Sequence, residues 1–162
     1  MKSVITRALL LVAGLMVLVA VNGSIVAKER IRKNGERIYL ELAPVDPRSI
    51  MQGDYMALRF EIANRLSPAE SGSAAIKLDE RGIARLDPEP QKDGLRIRYR
   101  VRNGAIWLGT NAYFFEEGTA EQYSGARYGE FRLDRETGEA VLTGLRDENL
   151  QPMGTGRPGL SR

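Results

Sequence analysis

The first 27 residues carry no acidic side chain, and Ala8 to Val21 carry no charge at all. The apolar character continues through Asn22-Gly23-Ser24 to Ala27. A helix of about twenty apolar residues, rising ~1.5 Å per residue, spans the hydrocarbon core of a bilayer. This run divides the chain. Residues 1–34 read as an N-terminal transmembrane helix with a juxtamembrane extension, in lipid contact through residues 8–27. Removing the first 27 residues leaves about 135 of the 162, enough for one compact core.

Lys2 and Arg7 form a positive start like that of a cleavable signal, and Val21-Asn22-Gly23 before Ser24 is a marginal cleavage site. The run is longer than a signal's apolar stretch of roughly 7–15 residues. The helical pattern also continues through "SIVAKERIRK" to Asn34-Gly35, a good helix stop. Both points favour an uncleaved anchor. Two Lys/Arg precede the run and five follow it within residues 28–37. The positive-inside rule alone would keep the following domain cytoplasmic. A short basic N-tail is equally how a signal-anchor with an exported C-terminal domain begins.

The net charge of +3 is unevenly placed. Residues 28–37 hold five Lys/Arg against Glu29 and Glu36, whereas residues 38–162 hold 17 basic and 19 acidic side chains. The basicity therefore sits beside the apolar helix, either drawn to anionic headgroups or as a solvated helix end, and no nucleic-acid partner is expected. The chain has no cysteine and no histidine. That excludes disulfides, thiol nucleophiles, Ser-His-Asp triads and zinc sites built on His or Cys.

Beyond the anchor the chain alternates. "RIYLELA" (37–43), "YMALRFEI" (55–62) and "LRIRYRVR" (95–102) each place apolar residues on one face, as half-buried strands do. Residues 74–79 and 83–86 form a hairpin around "DERG", and Asn103-Gly104 turns 95–102 into the return strand "AIWLG". "NAYFFE" (111–116), "EFRLD" and "EAVLTGL" complete the set. Thr119 and Gln122 form a capping-box pattern, predicting a helix of about two turns with Tyr123 and Arg127 on one face. The expected fold is mainly β: an N-terminal transmembrane helix, then an antiparallel β-sandwich or open barrel with one short helix. The domain covers 35–146, and the Gly/Pro-rich residues 147–162 read as a flexible tail.

Between the first two strands lies "PVDPRSIMQGD". Pro47 fixes its own φ and pushes Asp46 towards extended backbone, while Gly53 and Asp54 favour a tight turn. Hairpin loops usually hold two to five residues, so a loop this long and constrained is a contact site or a packed corner. "GDYMALRF" resembles the pattern that names the GDYXXLXY family of bacterial membrane-anchored proteins. Gly53, Asp54, Tyr55 and Leu58 match it, and Phe60 stands for its final tyrosine. "PVDPRS" and "GTNAYFFEEGTAEQYSGARYGEFRLD" resemble the family too. The resemblance implies a single-pass protein of the bacterial inner membrane, with a small periplasmic β domain that accompanies a multi-pass membrane protein.

The expected role is a non-enzymatic accessory or docking module. The candidate binding residues are Asp46, Arg48, Ser49, Asp54 and Tyr55 of the loop, with Tyr123, Arg127 and Tyr128 of the short helix. A second candidate is the stripe Arg96, Arg98, Arg100 and Arg102, an anion face unless Glu41 and Glu61 pair with it. One alternative is a signal-peptidase-like hydrolase using Ser49, but its lysine partner would have to be Lys77 or Lys92, and the Ser-Met-x-Pro element is absent. Another is a lipid- or glycan-binding module. No cofactor or metal site is expected.

Overall fold

Alternation of Ile38 and Leu40 with Tyr39 and Glu41 forms the first strand, and both aliphatic side chains are fully buried. In this computed structural model, residues 2–43, 51–52, 55–154 and 157–158 are described. They form one α-helix, α1 (Lys2–Asn34), and twelve short strands: β1 (Glu36–Glu41), β2 (Met51–Gln52), β3 (Tyr55–Ala57), β4 (Gly72–Leu78), β5 (Ala84–Leu86), β6 (Arg96–Arg102), β7 (Ala105–Trp107), β8 (Ala112–Phe114), β9 (Tyr128–Leu133), β10 (Ala140–Arg146), β11 (Pro152–Met153) and β12 (Arg157–Pro158). Two 3-10 turns lie at Glu61–Arg65 and Ala120–Tyr123.

The strands make three antiparallel sheets, ordered β1-β9-β10-β11, β12-β8-β3-β2 and β5-β4-β6-β7. Bridges between Tyr39 and Ile83 and between Leu42 and Phe60 stitch them together. The sheets curl around one core that includes Ile38, Leu40, Phe60, Ile97, Leu108 and Phe131. The mainly-β, antiparallel expectation therefore holds.

α1 is apolar on every side, and Leu11, Leu15, Val19 and Val26 are all well exposed. It is the one helix among the described residues long and apolar enough to cross a membrane. Its polar interruptions are satisfied on its own backbone: Asn22 donates to the Leu18 carbonyl at 2.8 Å and Ser24 to that of Val21 at 2.8 Å. Such self-bonding lowers the expense of a polar group in hydrocarbon. The helix meets the β domain at its far end. Ile31 is buried there, and the Gly35 N–H closes the last turn on the Ile31 carbonyl at 2.7 Å. A Cβ on Gly35 would lie 2.5 Å from that carbonyl oxygen, so the junction requires glycine.

Three local expectations are corrected. The strand expected over 55–62 is regular only to Ala57, Phe60 keeps an isolated bridge to Leu42, and the 3-10 turn starts at Glu61. Its alternation still reads burial correctly, because Met56, Leu58, Phe60 and Ile62 are all buried. The Leu58 N–H still donates to the carbonyl of Asn111, the residue opposite it in the β3–β8 register. The two-turn helix after Thr119 is a single 3-10 turn. The Thr119 hydroxyl makes no cap and donates to the Glu116 carbonyl at 2.6 Å. The tail does not fray where it is described. Asp147 accepts from the Asn149 and Gln151 N–H groups, β11 pairs with β10, and β12 pairs with β8.

Candidate functional site

Asp46, Arg48, Ser49 and Asp54 lie outside the described residues. Tyr55 opens β3 directly opposite Phe114 of β8, and their rings sit 5.6 Å apart in a tilted pair. Phe114 is 47 % exposed, the one large apolar side chain outside α1 exposed to that degree among the described residues. Strand alternation explains it, since Tyr113 and Phe115 point into the core and Phe114 must point out. The sequence reading placed this strand but missed Phe114, although its place between two core aromatics was the available signal.

Tyr123 is a correction. It is only 2 % exposed, stacked on Phe115 at 5.1 Å and edge-on to Tyr113 at 5.4 Å. It is a core residue and offers no contact surface. Burial, with Tyr123 beside it, pushes the Tyr113 hydroxyl well above the ordinary tyrosine range. Arg127 and Tyr128 do not share a helix with Tyr123. Arg127 is exposed, with its backbone joined to Arg146 and Leu42, and Tyr128 starts β9, its ring 6.0 Å from the Arg81 guanidinium. Tyr128 and Tyr55 therefore belong to different sheets.

The arginine stripe on β6 is real, but Glu41 and Glu61 are not its partners. β6 runs between β4 and β7, whereas Glu41 is on β1 and Glu61 accepts from Asn64. The one carboxylate in reach among the described residues is Glu139, after the β9–β10 turn, 3.9 Å from both Arg98 and Arg100. Arg96 reaches the Ser73 hydroxyl at 3.2 Å, and the Arg102 guanidinium lies 5.4 Å over the Trp107 ring. Beside Arg98 and Arg100 the surface opens into a groove of about 530 Å³, shared with Ser71, Ser73, Tyr99 and Thr137.

The β9–β10 turn walls this groove and also touches the base of α1. Asp134 accepts from the Thr137 and Glu136 N–H groups, each at 2.9 Å. The Thr137 amide chiefly holds its carboxyl below the usual carboxylate range, with Arg30 of α1 adding a small pull. Arg135 forks onto Glu36 at 2.6 and 2.9 Å, just past the helix end.

Sequence reasoning also missed Glu130, which is buried. Arg146 holds it through Nε at 2.6 Å and a second, shorter contact from Nη2, and Arg37 stands 3.6 Å away. Lys77 and Lys92 are exposed, which denies either the desolvation that a Ser–Lys mechanism needs. Among the described residues no group of three acidic side chains is placed to hold a metal ion.

No curated protein and no solved structure matches the chain. The family model described as "GDYXXLXY protein" matches residues 17–145, from inside the apolar helix to the end of β10. With Tyr55 opening β3 and Leu58 and Phe60 buried in the core, the chain belongs to the GDYXXLXY family.

Proposed function

We propose that the chain is a membrane-tethered β domain on the periplasmic face of a bacterial inner membrane, where it serves as a non-enzymatic docking module for a multi-pass membrane protein. The observation that carries this reading is the Tyr55–Phe114 pair. It is an exposed aromatic surface built by the family's own tyrosine, on a domain whose other large apolar side chains, among those described, are covered. Rigid aromatic pairs give large contact area at low entropic cost and are typical interface anchors. The candidate anchor α1 is joined to the domain through Ile31, Gly35 and Glu36, which holds the domain close to the bilayer.

The test is isolation of the full-length protein from native membranes in mild detergent. A stoichiometric multi-pass partner that is lost in Phe114→Ala and Tyr55→Ala, with the fold intact, is the expected result. A partner-free protein, or a partner retained by both variants, overturns the docking reading. Orientation is read separately. The chain has no cysteine, so a single cysteine at exposed Lys92 reports by its labelling with a membrane-impermeant maleimide in intact spheroplasts. Labelling is expected, and protection until lysis overturns the periplasmic placement.

A further inference from the structure

We infer that the groove beside β6 is a binding site for a phosphate-type oxyanion, and that the anion is the phosphate of a lipid headgroup. Arg98 and Arg100 both face one carboxylate oxygen, at 3.9 Å each, with their side chains 53 % and 57 % exposed. Each guanidinium carries five N–H donors in a planar fork. A shared carboxylate at that distance satisfies few of them, and exposed pairs of this kind bind weakly. Arg96 and Arg102 extend the positive face along the same strand.

The hydroxyls that line the groove point to the same ligand chemistry. Ser71 accepts from the Val101 N–H at 2.9 Å, Ser73 accepts from Arg96 at 3.2 Å, and Thr137 accepts from the Glu139 N–H at 3.2 Å. The Thr137 hydroxyl is already bonded to the Asp134 carboxylate, whereas the Ser71 and Ser73 oxygens are used as acceptors and their O–H groups are left to donate. A site offering guanidinium and hydroxyl donors matches a ligand that only accepts. Phosphate oxygens fit that description, and arginine forks bind them in bidentate geometry.

Size and place select the source. The groove is polar and open to solvent, and its roughly 530 Å³ exceeds a bare phosphate ion, which leaves room for the rest of a headgroup. The wall of the groove is the turn that Arg135 clamps to Glu36, and the apolar run ends at Ala27. From Ala27 to Arg30, whose charge reaches Asp134 of that turn, the helix rises only ~5 Å. The groove is thus built beside the membrane-proximal end of the domain. Only the lipid source rests on the reading of α1 as a tether. The oxyanion site stands without it and needs no protein partner.

Trp107 is the single tryptophan of the chain, and it pairs across the sheet with Arg100, so its emission reports on this face. The experiment titrates full-length protein in dodecyl maltoside with dihexanoyl-phosphatidylglycerol, dihexanoyl-phosphatidylcholine and inorganic phosphate in turn. Phosphatidylglycerol is expected to shift the emission saturably, with phosphatidylcholine and phosphate much weaker. Raising salt from about 50 to 500 mM should weaken binding roughly tenfold, because the contacts are exposed charges. Arg98→Gln/Arg100→Gln should weaken it at least about tenfold at an unchanged unfolding midpoint. If that double variant folds poorly, Arg100→Gln alone carries the same expectation. Inorganic phosphate binding as tightly as phosphatidylglycerol overturns the lipid source and keeps the oxyanion site. Equal response to phosphatidylcholine, no saturable response, or an affinity untouched by the arginine changes overturns the site itself.

Discussion

The backbone N–H of Arg98 donates to the Gly138 carbonyl at 2.7 Å, fastening the β9–β10 turn onto the edge of β6. The two residues lie on different sheets' elements, and this one bond closes the side of the arginine groove. Gly138 has φ +71°, and a Cβ there would sit 3.1 Å from the Arg96 carbonyl oxygen. Gly138→Ala should therefore destabilise the domain by about 1–3 kcal/mol through the strained backbone. Urea unfolding measures the loss. A stability equal to wild type would show that the turn relaxes away from β6 at little expense.

Asp134 gives the same turn a pH dependence. Its carboxyl lies below the ordinary carboxylate range, chiefly because the Thr137 N–H bonds the charged form. A group whose folded pKa is depressed contributes stability that is fully present above its unfolded pKa, near ~4, and that disappears as pH falls through the folded value. Stability should therefore decline below about pH 4, and Asp134→Asn should flatten that part of the profile while keeping an acceptor oxygen for both amides. Urea midpoints of the two proteins at pH 3 and pH 7 test this. Parallel profiles would remove Asp134 from the acid response.

Glu130 and Arg146 form a buried ion pair between β9 and β10, the carboxylate 6 % exposed. Arg146 also donates to the Leu150 carbonyl, tying in the start of the tail. Arg146→Met leaves the carboxylate buried without its main partner and should cost about 3–5 kcal/mol. Glu130→Met/Arg146→Met should recover much of that, since the charge itself is removed. A double-mutant cycle by urea unfolding measures the coupling, and additive losses would show that the two side chains act independently.

How far the sequence exposed these features depends on the range of the interaction. Period-two alternation located Met56, Leu58, Phe60 and Ile62 in the core even where the backbone leaves the ladder. Asn103 and Gly104, both at positive φ, mark the hairpin they were read to make. Glu139 facing the arginines and Arg146 covering Glu130 are pairings across strands and turns that no local spacing announces. Glu130 alternates with Phe131 and so reads as a solvent-face residue until Arg146 of β10 and Arg37 of β1 are brought to it. The capping-box pattern at Thr119 failed for the same reason. Tyr123 packs on Tyr113 of β8 and on Phe115 just beyond it, contacts that the local pattern does not announce.

Tyr123 and Tyr55 should part company on mutation, although both began as candidate contact residues. Tyr123 is enclosed by two aromatic rings and covered by Gly154, where an added Cβ would overlap the Tyr123 hydroxyl. Removing a buried aromatic ring usually destabilises by about 3–5 kcal/mol, so Tyr123→Ala should lose much of the domain's cooperative unfolding. Gly154→Ala should destabilise too, because φ is +54° there and the new methyl has no room. Tyr55 is only half-buried and its ring pairs with the exposed Phe114, so Tyr55→Ala should shift the midpoint far less. Thermal unfolding of full-length protein in one detergent, followed by circular dichroism, compares the three variants directly. Equal losses for Tyr55→Ala and Tyr123→Ala would make Tyr55 a fold residue and leave Phe114 to carry the docking surface alone.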